Sequence, residues 1–145
     1  MKLLAGVDLS RSTDKIIATM EAIAKPLSAK IWLLHVAEPE PAFIGYDVGP
    51  QAVRDSLSET YHKELRQVQG LAERLRSAGV DATALVVQGA TVETLLSEAE
   101  KLEVDMIVMG SHGHGAVYQL LVGSVCEGVL RRATCPVLVV PIREK

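Results

Sequence analysis

The chain is poor in the features that would make several classes of protein easy to assign. Of its 145 residues only two are cysteines, Cys126 and Cys135. They form no C-x-x-C spacing and one pair could not staple a small secreted fold, so both read as reduced thiols. Aromatic residues make up 3% of the chain against 48% hydrophobic residues in all. The core must therefore be built from Val, Leu, Ile and Ala rather than from large rings. Positive charge does not dominate either: 15 Lys and Arg stand against 18 Asp and Glu, a net charge of −3. The basic residues are scattered instead of forming a stripe, which argues against a nucleic-acid footprint. Long apolar runs are missing as well. The longest are about five residues, where a membrane-spanning helix needs about 20. The opening "MKLLAGVDLS" meets Asp8 before the apolar stretch of a signal peptide develops. These absences leave an expectation of one domain spanning 1–145, cytoplasmic and without membrane insertion.

What the chain does have is a rhythm. Five short runs of branched aliphatic residues recur, at 2–8, 30–36, 81–87, 104–110 and 135–141. They are apolar throughout rather than alternating, the mark of strands buried on both faces of a parallel sheet. Helical spacing fills the gaps. Ile16, Ile17, Met20, Ile23, Ala24 and Leu27 share one face behind candidate caps at Ser10, Ser12 and Thr13. The stretch from about 53 to 78 places Leu57, Leu65, Val68, Leu71, Leu75 and Ala78 in the same way, and Gly79 follows as a stop. Thr91 is read as the cap of a third helix carrying Val92, Leu95, Leu96 and Ala99. Ser124 opens the last, with Val125, Val129 and Leu130 before Arg131 and Arg132 at its negative end. Strand and helix alternate to the end, which predicts a three-layer, doubly wound α/β fold. One irregular piece remains, 37–51, whose prolines, glycines, Phe43 and Tyr46 read either as a mobile functional loop or as a disordered connector.

In such a sheet a ligand binds beyond the carboxyl ends of the strands, where the strand order reverses. With the order 3-2-1-4-5 that point lies between the first and fourth strands. Asp8 ends the first and Gly110 the fourth, so an acid faces a glycine-rich loop. Gly110, Gly113 and Gly115 let backbone N–H groups approach phosphate oxygens, and Gly123 with Ser124 adds N–H groups and a hydroxyl at the positive end of the last helix. No G-K-S/T follows, so this is not a Walker A loop, and no G-x-G-x-x-G follows the first strand. Phosphate or nucleotide binding is the expectation.

The spacing Gly110-x2-Gly113-x9-Gly123-Ser124 resembles the ATP-binding motif of the universal stress protein family. "LLAGVDLS" and "LLHV" resemble that family's first two strands, and "VDMIVMGSHGHG" with "GSVCEGVLRRATCPVLVV" its C-terminal half. The resemblance implies the adenine nucleotide alpha hydrolase-like sheet of five parallel strands in the order 3-2-1-4-5. It implies a nucleoside held by Asp8, an adenine pocket lined by Gly6, Val7 and Val36, and ribose and phosphates wrapped by Met109, Gly110, His112, Gly113 and His114. Gly123, Ser124, Val125 and Cys126 would hold the distal phosphates, with Mg²⁺ bound on them. It also implies a homodimer through the last strand, Val137, Leu138, Val139 and Val140, whose apolar edge needs a cover. Two positions depart from the motif. His112 stands where arginine is common, which would weaken charge neutralisation and make it sensitive to pH. Cys126 stands where a second hydroxyl residue can occur.

Plainer readings stand beside these. Asp8 also suits a turn or helix cap. His112 and His114 are too few for a dedicated metal site. Cys126, at a helix N-terminus, is either redox-active or a buried, inert thiol. Ser124 lacks the nucleophile elbow of a hydrolase. His35 and His62 read as structural, and Glu59, Lys63, Glu64, Arg66, Glu73, Arg74 and Arg76 as a solvated helix face. The functional expectation is a nucleotide-responsive ATP-binding module in stress response or regulation, read by a partner protein. Slow ATP hydrolysis, AMP or cyclic AMP as the ligand, and a structural dimer without ligand are the alternatives.

Overall fold

The computed structural model describes residues 1–37, 50–112 and 122–142, and only the backbone of 50–55. Five parallel strands, β1 (Lys2–Gly6), β2 (Lys30–Ala37), β3 (Asp81–Gln88), β4 (Met106–Gly110) and β5 (Val137–Val140), form one sheet in the order β3-β2-β1-β4-β5. The helices α1 (Thr13–Ala24), α2 (Pro50–Ser77), α3 (Thr91–Lys101) and α4 (Ser124–Arg132) lie between them in sequence. Right-handed crossovers decide which face each helix covers. From β1 the chain first moves outward through β2 to β3, then returns past β1 to β4 and β5, so α1 and α2 pack on one face and α3 and α4 on the other.

Side chains follow that division with the period of two expected of strands. Leu3, Ala5, Val7, Ile31, Leu33 and Val108 point into the core under α1 and α2. Leu4, Leu34, Ile107 and Met109 point into the core under α3 and α4. From the helices come Ile16, Ile17, Met20, Val68, Ala72 and Leu75 on one side, and Leu95, Ala99, Cys126 and Val129 on the other. Each fully buried leucine or isoleucine contributes roughly 1.5–3 kcal/mol. A sheet so covered needs no aromatic residue at its centre. Two residues counted into apolar faces lie outside them. Leu27 falls beyond the end of α1, in the turn around Pro26, and is 42% exposed; Leu130 lies on the outer side of α4 at 46%.

Three helices end in the same hydrogen-bonded stop, which sets the strand boundaries. After α2, Gly79 N–H donates to the Arg76 carbonyl (2.9 Å) and Val80 N–H to that of Leu75 (3.0 Å), with Gly79 at φ 85°. After α1 the left-handed residue is Ser28 (φ 47°), and Ala29 N–H reaches Ala24 O at 2.9 Å. After α3 it is Glu103 (φ 53°), and Val104 N–H reaches Ala99 O at 3.1 Å. This is the Schellman motif, normally closed by glycine because a side chain there costs roughly 1 kcal/mol. In each case the residue that follows, Ala29, Val80 or Val104, is buried and leads into the next strand. Val104 and Asp105, read above as strand, therefore belong to the α3 stop, and β4 begins at Met106. Other boundaries shift too. Pro50 is the first residue of α2, where a missing N–H is harmless. Ala90, not Thr91, holds the cap position of α3, and no side chain there accepts a capping bond. Of the irregular piece at 37–51, Ala37 ends β2 and 50–51 open α2; Phe43 and Tyr46 lie outside the described residues.

Helices α3 and α4 are joined at the surface by Arg132 Nη1 to Glu93 Oε1, 2.9 Å. Glu93 sits in the first turn of α3, where its own backbone N–H and then the Arg132 guanidinium hold its carboxyl below the usual carboxylate range. A carboxyl depressed in the folded state adds stability above its unfolded pKa, and that contribution disappears as pH falls through the folded value. Glu93→Gln is therefore expected to melt below the parent at pH 7, with the two melting curves converging below about pH 4, under the glutamate range. A gap that persists unchanged at pH 3 would remove the charge from the explanation.

Candidate functional site

The strand ends that converge at the order reversal are those of β1 and β4. Their register runs Leu3 to Met106, Leu4 to Ile107 and Ala5 to Val108, so the residues after Gly6 emerge beside Met109 and Gly110. Beyond β1 the chain turns sharply. Asp8 Oδ1 accepts from the Ser10 N–H (3.0 Å) and from the hydroxyls of Ser10 (2.5 Å) and Ser12 (3.5 Å). This is an aspartate-anchored turn, and it places Ser12 at the cap position of α1, although the Ser12 hydroxyl makes no cap bond. Thr13, the first residue of α1, is buried, and its Oγ1 alone among the described buried side-chain atoms has no hydrogen-bond partner. Asp8 is thus a turn residue and a half-buried acid at the reversal point at once.

Val7 is held from behind. Its N–H donates to the Leu34 carbonyl at 2.9 Å, and its carbonyl lies 2.9 Å from His35 Nδ1. The other ring nitrogen, Nε2, meets Glu64 Oε2 on α2 at 3.1 Å. Nδ1 faces a carbonyl oxygen, which can only accept, so the ring donates there. A buried histidine thereby clamps the residue before Asp8 to β2 and α2. The sequence reading of His35 as structural agrees with this. Glu64 is a correction: it is not part of a solvated face but a half-buried partner of that ring. Nor is the rest of that face held by i,i+4 pairs. Arg74 reaches Asp14 and Glu21 of α1, and Arg76 bonds Glu73 three residues earlier and the Ala82 carbonyl.

On the β4 side the organising residue is Ser111, which sequence reasoning passed over. It is buried; its N–H donates to Val140 O (2.9 Å), its carbonyl accepts from Gly123 N–H (2.7 Å), and its Oγ accepts from Ile142 N–H (2.9 Å). The same hydroxyl meets His112 Nδ1 at 3.0 Å. One serine therefore joins the ends of β4 and β5 to the start of α4. Gly110 is required by this packing, since a Cβ there would come within 3.0 Å of Ile142 and 3.2 Å of the His112 carbonyl. Gly123 takes the cap position of α4 in extended conformation (φ −70°, ψ 161°) with no side-chain cap. The N–H groups of Ser124, Val125 and Cys126, the first turn of a nine-residue helix, have no acceptor within the helix.

The expected site residues accordingly divide. Asp8, Gly110, His112, Gly123 and Ser124 gather at the same end of the sheet. Gly6 ends β1 with the space its side chain would fill taken by Leu95 at 3.0 Å. Val7 and Met109 turn their side chains into opposite cores, so either meets a ligand only through backbone. Val36 is half-buried on the α3/α4 face of β2. Cys126 is buried, and desolvation pushes its thiol pKa up, so the helix N-terminus does not activate it. Its backbone N–H alone faces the site. Gly113, His114 and Gly115 lie outside the described residues. Among the described residues no group of three or more His, Cys, Asp or Glu could hold a metal ion.

The arrangement, an acid-anchored turn facing a serine-tied loop and an uncapped helix N-terminus, can be compared with known proteins. The model of the universal stress protein family matches residues 1–141. A universal stress protein of Thermus aquaticus is 32% identical over 139 residues, covering 95% of this chain and 96% of the relative. Among solved structures, universal stress protein UspA from Lactobacillus plantarum superposes with a TM-score of 0.83 at 20% identity, covering 97% of each chain. A universal stress protein in complex with cAMP gives 0.67 at 24% identity, over 97% of this chain and 96% of the other. The strand order and the position of the reversal are those of that fold. The chain belongs to the universal stress protein family.

Proposed function

We infer that the chain is an ATP-binding module that reports nucleotide occupancy to a partner, acting as a homodimer rather than as a fast enzyme. The observation that carries this reading is the convergence of the Asp8 turn with the α4 N-terminus, brought onto β4 by the 2.7 Å Gly123–Ser111 bond. Three backbone N–H groups at a helix start stabilise an anion without lysine. The acid at Asp8, across the reversal, suits ribose hydroxyls. Adenine would sit against Val36 and the backbone of Gly6 and Val7, phosphates against 109–114 and 123–126. Because no ligating cluster stands among the described residues, this reading puts Mg²⁺ on the phosphate oxygens, where it commonly keeps several waters. A relative of the same fold bound to cAMP supports the adenine nucleotide class. Among the described residues of the site no arginine stands as the clamp used for phosphoryl transfer, and this reading takes binding over turnover.

The dimer follows from the free edge of β5. Carbonyls of Pro136 and Val140 accept from β4 at Ile107 and Ser111, so with the period of two the backbone groups of Val137 and Val139 point away from the sheet. A second β5, paired antiparallel, would cover them.

Three variants test this reading. Ser124→Glu puts a carboxylate at the positive end of α4, where it adds about 0.3–1 kcal/mol of stability yet opposes phosphate. It is expected to melt at or above the parent temperature and to bind ATP at least about tenfold more weakly in calorimetry, a loss of about 1.4 kcal/mol. Asp8→Asn keeps the acceptor that holds the turn and removes the charge. Weakened ATP binding with little change in melting is the expected result, and parental affinity in both variants would sink the nucleotide site. AMP and cyclic AMP run beside ATP rank the ligands. For the dimer, Val139→Pro deletes an outward N–H and spares the β4 ladder. Sedimentation should turn a parental dimer into a folded monomer, and an unchanged dimer would reject the β5 interface.

A further inference from the structure

Helix α2 is longer than the sheet it covers. Its 28 residues run about 42 Å at 1.5 Å per residue, whereas the 8 residues of β2 or of β3 run about 26 Å. The short link 78–80 pins the carboxyl end of α2 to the amino end of β3, so the excess length lies at the other end of the sheet, where the Asp8 turn stands. Burial divides the helix accordingly. Val68, Ala72 and Leu75 are buried against the sheet, whereas none of 56–67 is buried. Among the described residues, two side chains of that amino-terminal stretch reach the sheet by hydrogen bonds. Glu64 Oε2 lies 3.1 Å from His35 Nε2, and the Tyr61 hydroxyl donates to the Val86 carbonyl at 3.5 Å.

The Glu64 contact differs from the other in where it leads. The same imidazole donates from Nδ1 to the Val7 carbonyl at 2.9 Å, and Val7 is the residue between Gly6 and Asp8. A buried ring that loses the partner of Nε2 is left with an unsatisfied nitrogen, and turning to find another takes Nδ1 away from Val7. Gly70 stands close to where the two parts of α2 meet. Glycine is among the weakest helix formers, and a Cβ there would meet nothing within 4 Å, so packing does not call for it. The amino-terminal stretch is thus joined to the buried part of α2 through a weak point in the helix and, through His35, to one wall of the site.

We propose that the chain of contacts from Glu64 through His35 to Val7 couples nucleotide occupancy to the amino-terminal part of α2, with His35 and Glu64 as positioning residues and 56–67 as the surface whose order a partner reads. This coupling rests on the nucleotide reading of the site. A ligand set against the backbone of Gly6 and Val7 favours the arrangement in which the Val7 carbonyl meets His35, and with it the ring orientation that brings Nε2 to Glu64. The effect is reciprocal: if the Glu64 contact tightens ATP binding by some factor, ATP tightens the Glu64 contact by the same factor. Loosening 56–67 costs little, because no side chain there leaves a buried position.

Hydrogen exchange and calorimetry on the full chain with ATP test this. In the parent, saturating ATP should slow amide exchange across 56–67 several-fold. Glu64→Ala should bind ATP about five- to tenfold more weakly and lose that protection while keeping protection at 123–126. Glu64→Gln should recover most of the affinity, because its amide N–H donates to Nε2 while Nδ1 donates to Val7. Val68→Ala removes buried apolar contact from the same helix. It should melt below the parent yet bind ATP as the parent does, which separates positioning from stability. Exchange across 56–67 that ignores ATP, parental affinity in Glu64→Ala, protection of 56–67 that survives in it, Glu64→Gln no better than Glu64→Ala, or an equal loss in Val68→Ala would each overturn the coupling while ATP binding by the parent stands. A parent that takes up no ATP would overturn the nucleotide reading and the coupling together.

Discussion

The pairing of β1 with β4 is the constraint on which the rest of the molecule depends. It places the first strand between two neighbours reached in opposite directions, and right-handed crossovers then send α1 and α2 to one face and α3 and α4 to the other. Where the loops part to opposite faces a crevice opens at the carboxyl ends of the strands. The Asp8 turn and the segment from Gly110 to His112 leave the sheet at that point because the Leu3–Met106 register brings them there. The 2.7 Å bond from Gly123 N–H to the Ser111 carbonyl adds the start of α4. Remove the β1–β4 pairing and these segments, a hundred residues apart in sequence, have no reason to meet.

Hydrogen bonds fix the crevice more firmly than packing alone would. Ser111 ties β4 to β5, to α4 and to Ile142 through its backbone and one hydroxyl. His35 performs the matching task on the other wall, gripping the Val7 carbonyl while Glu64 holds the ring. Preorganised backbone donors bind an anion without the reorganisation that a flexible lysine requires. This is why glycine and serine can suffice where charge would be expected. It also limits what side chains can add, since Met109, Val7 and Cys126 are turned into the cores.

How much of this was legible in the sequence depended on how local each feature is. The five strands and the apolar face of each helix followed from continuous apolar runs and helical spacing, because burial on both faces leaves no alternation to confuse the reading, whereas the strand order rested on the family resemblance. Strand and helix ends were less visible. Gly79 announced its stop, whereas Ser28 and Glu103 occupy the same left-handed position without the residue type that signals it. Leu27 and Leu130 fit the spacing but not the geometry, since periodicity cannot tell where a helix ends or how wide its buried face is. At the site, Asp8, Gly110 and Gly123 were readable from topology and motif. Ser111 and the pairing of Glu64 were not, because a buried serine or a paired glutamate is identified by partners such as Ile142 and His35, 31 and 29 residues away.

The parallel sheet also gives the molecule a polarity that no single motif carries. With every strand parallel and every helix running back, the N-termini of α1 and α4 gather at one end and the C-termini of α1, α2 and α3 at the other. Helix dipoles then add in the same sense, positive beside Asp8 and Ser124 and negative beside Glu103. Charged side chains offset these poles: Asp14, Glu93 and Glu127 stand in first turns, and Arg74, Arg76, Lys101, Arg131 and Arg132 in last turns. What the first end keeps is the set of uncapped backbone N–H groups of α4, which suits an anion. The β1–β4 pairing that brings the Asp8 turn beside Gly110 therefore also sets which helix ends stand around it.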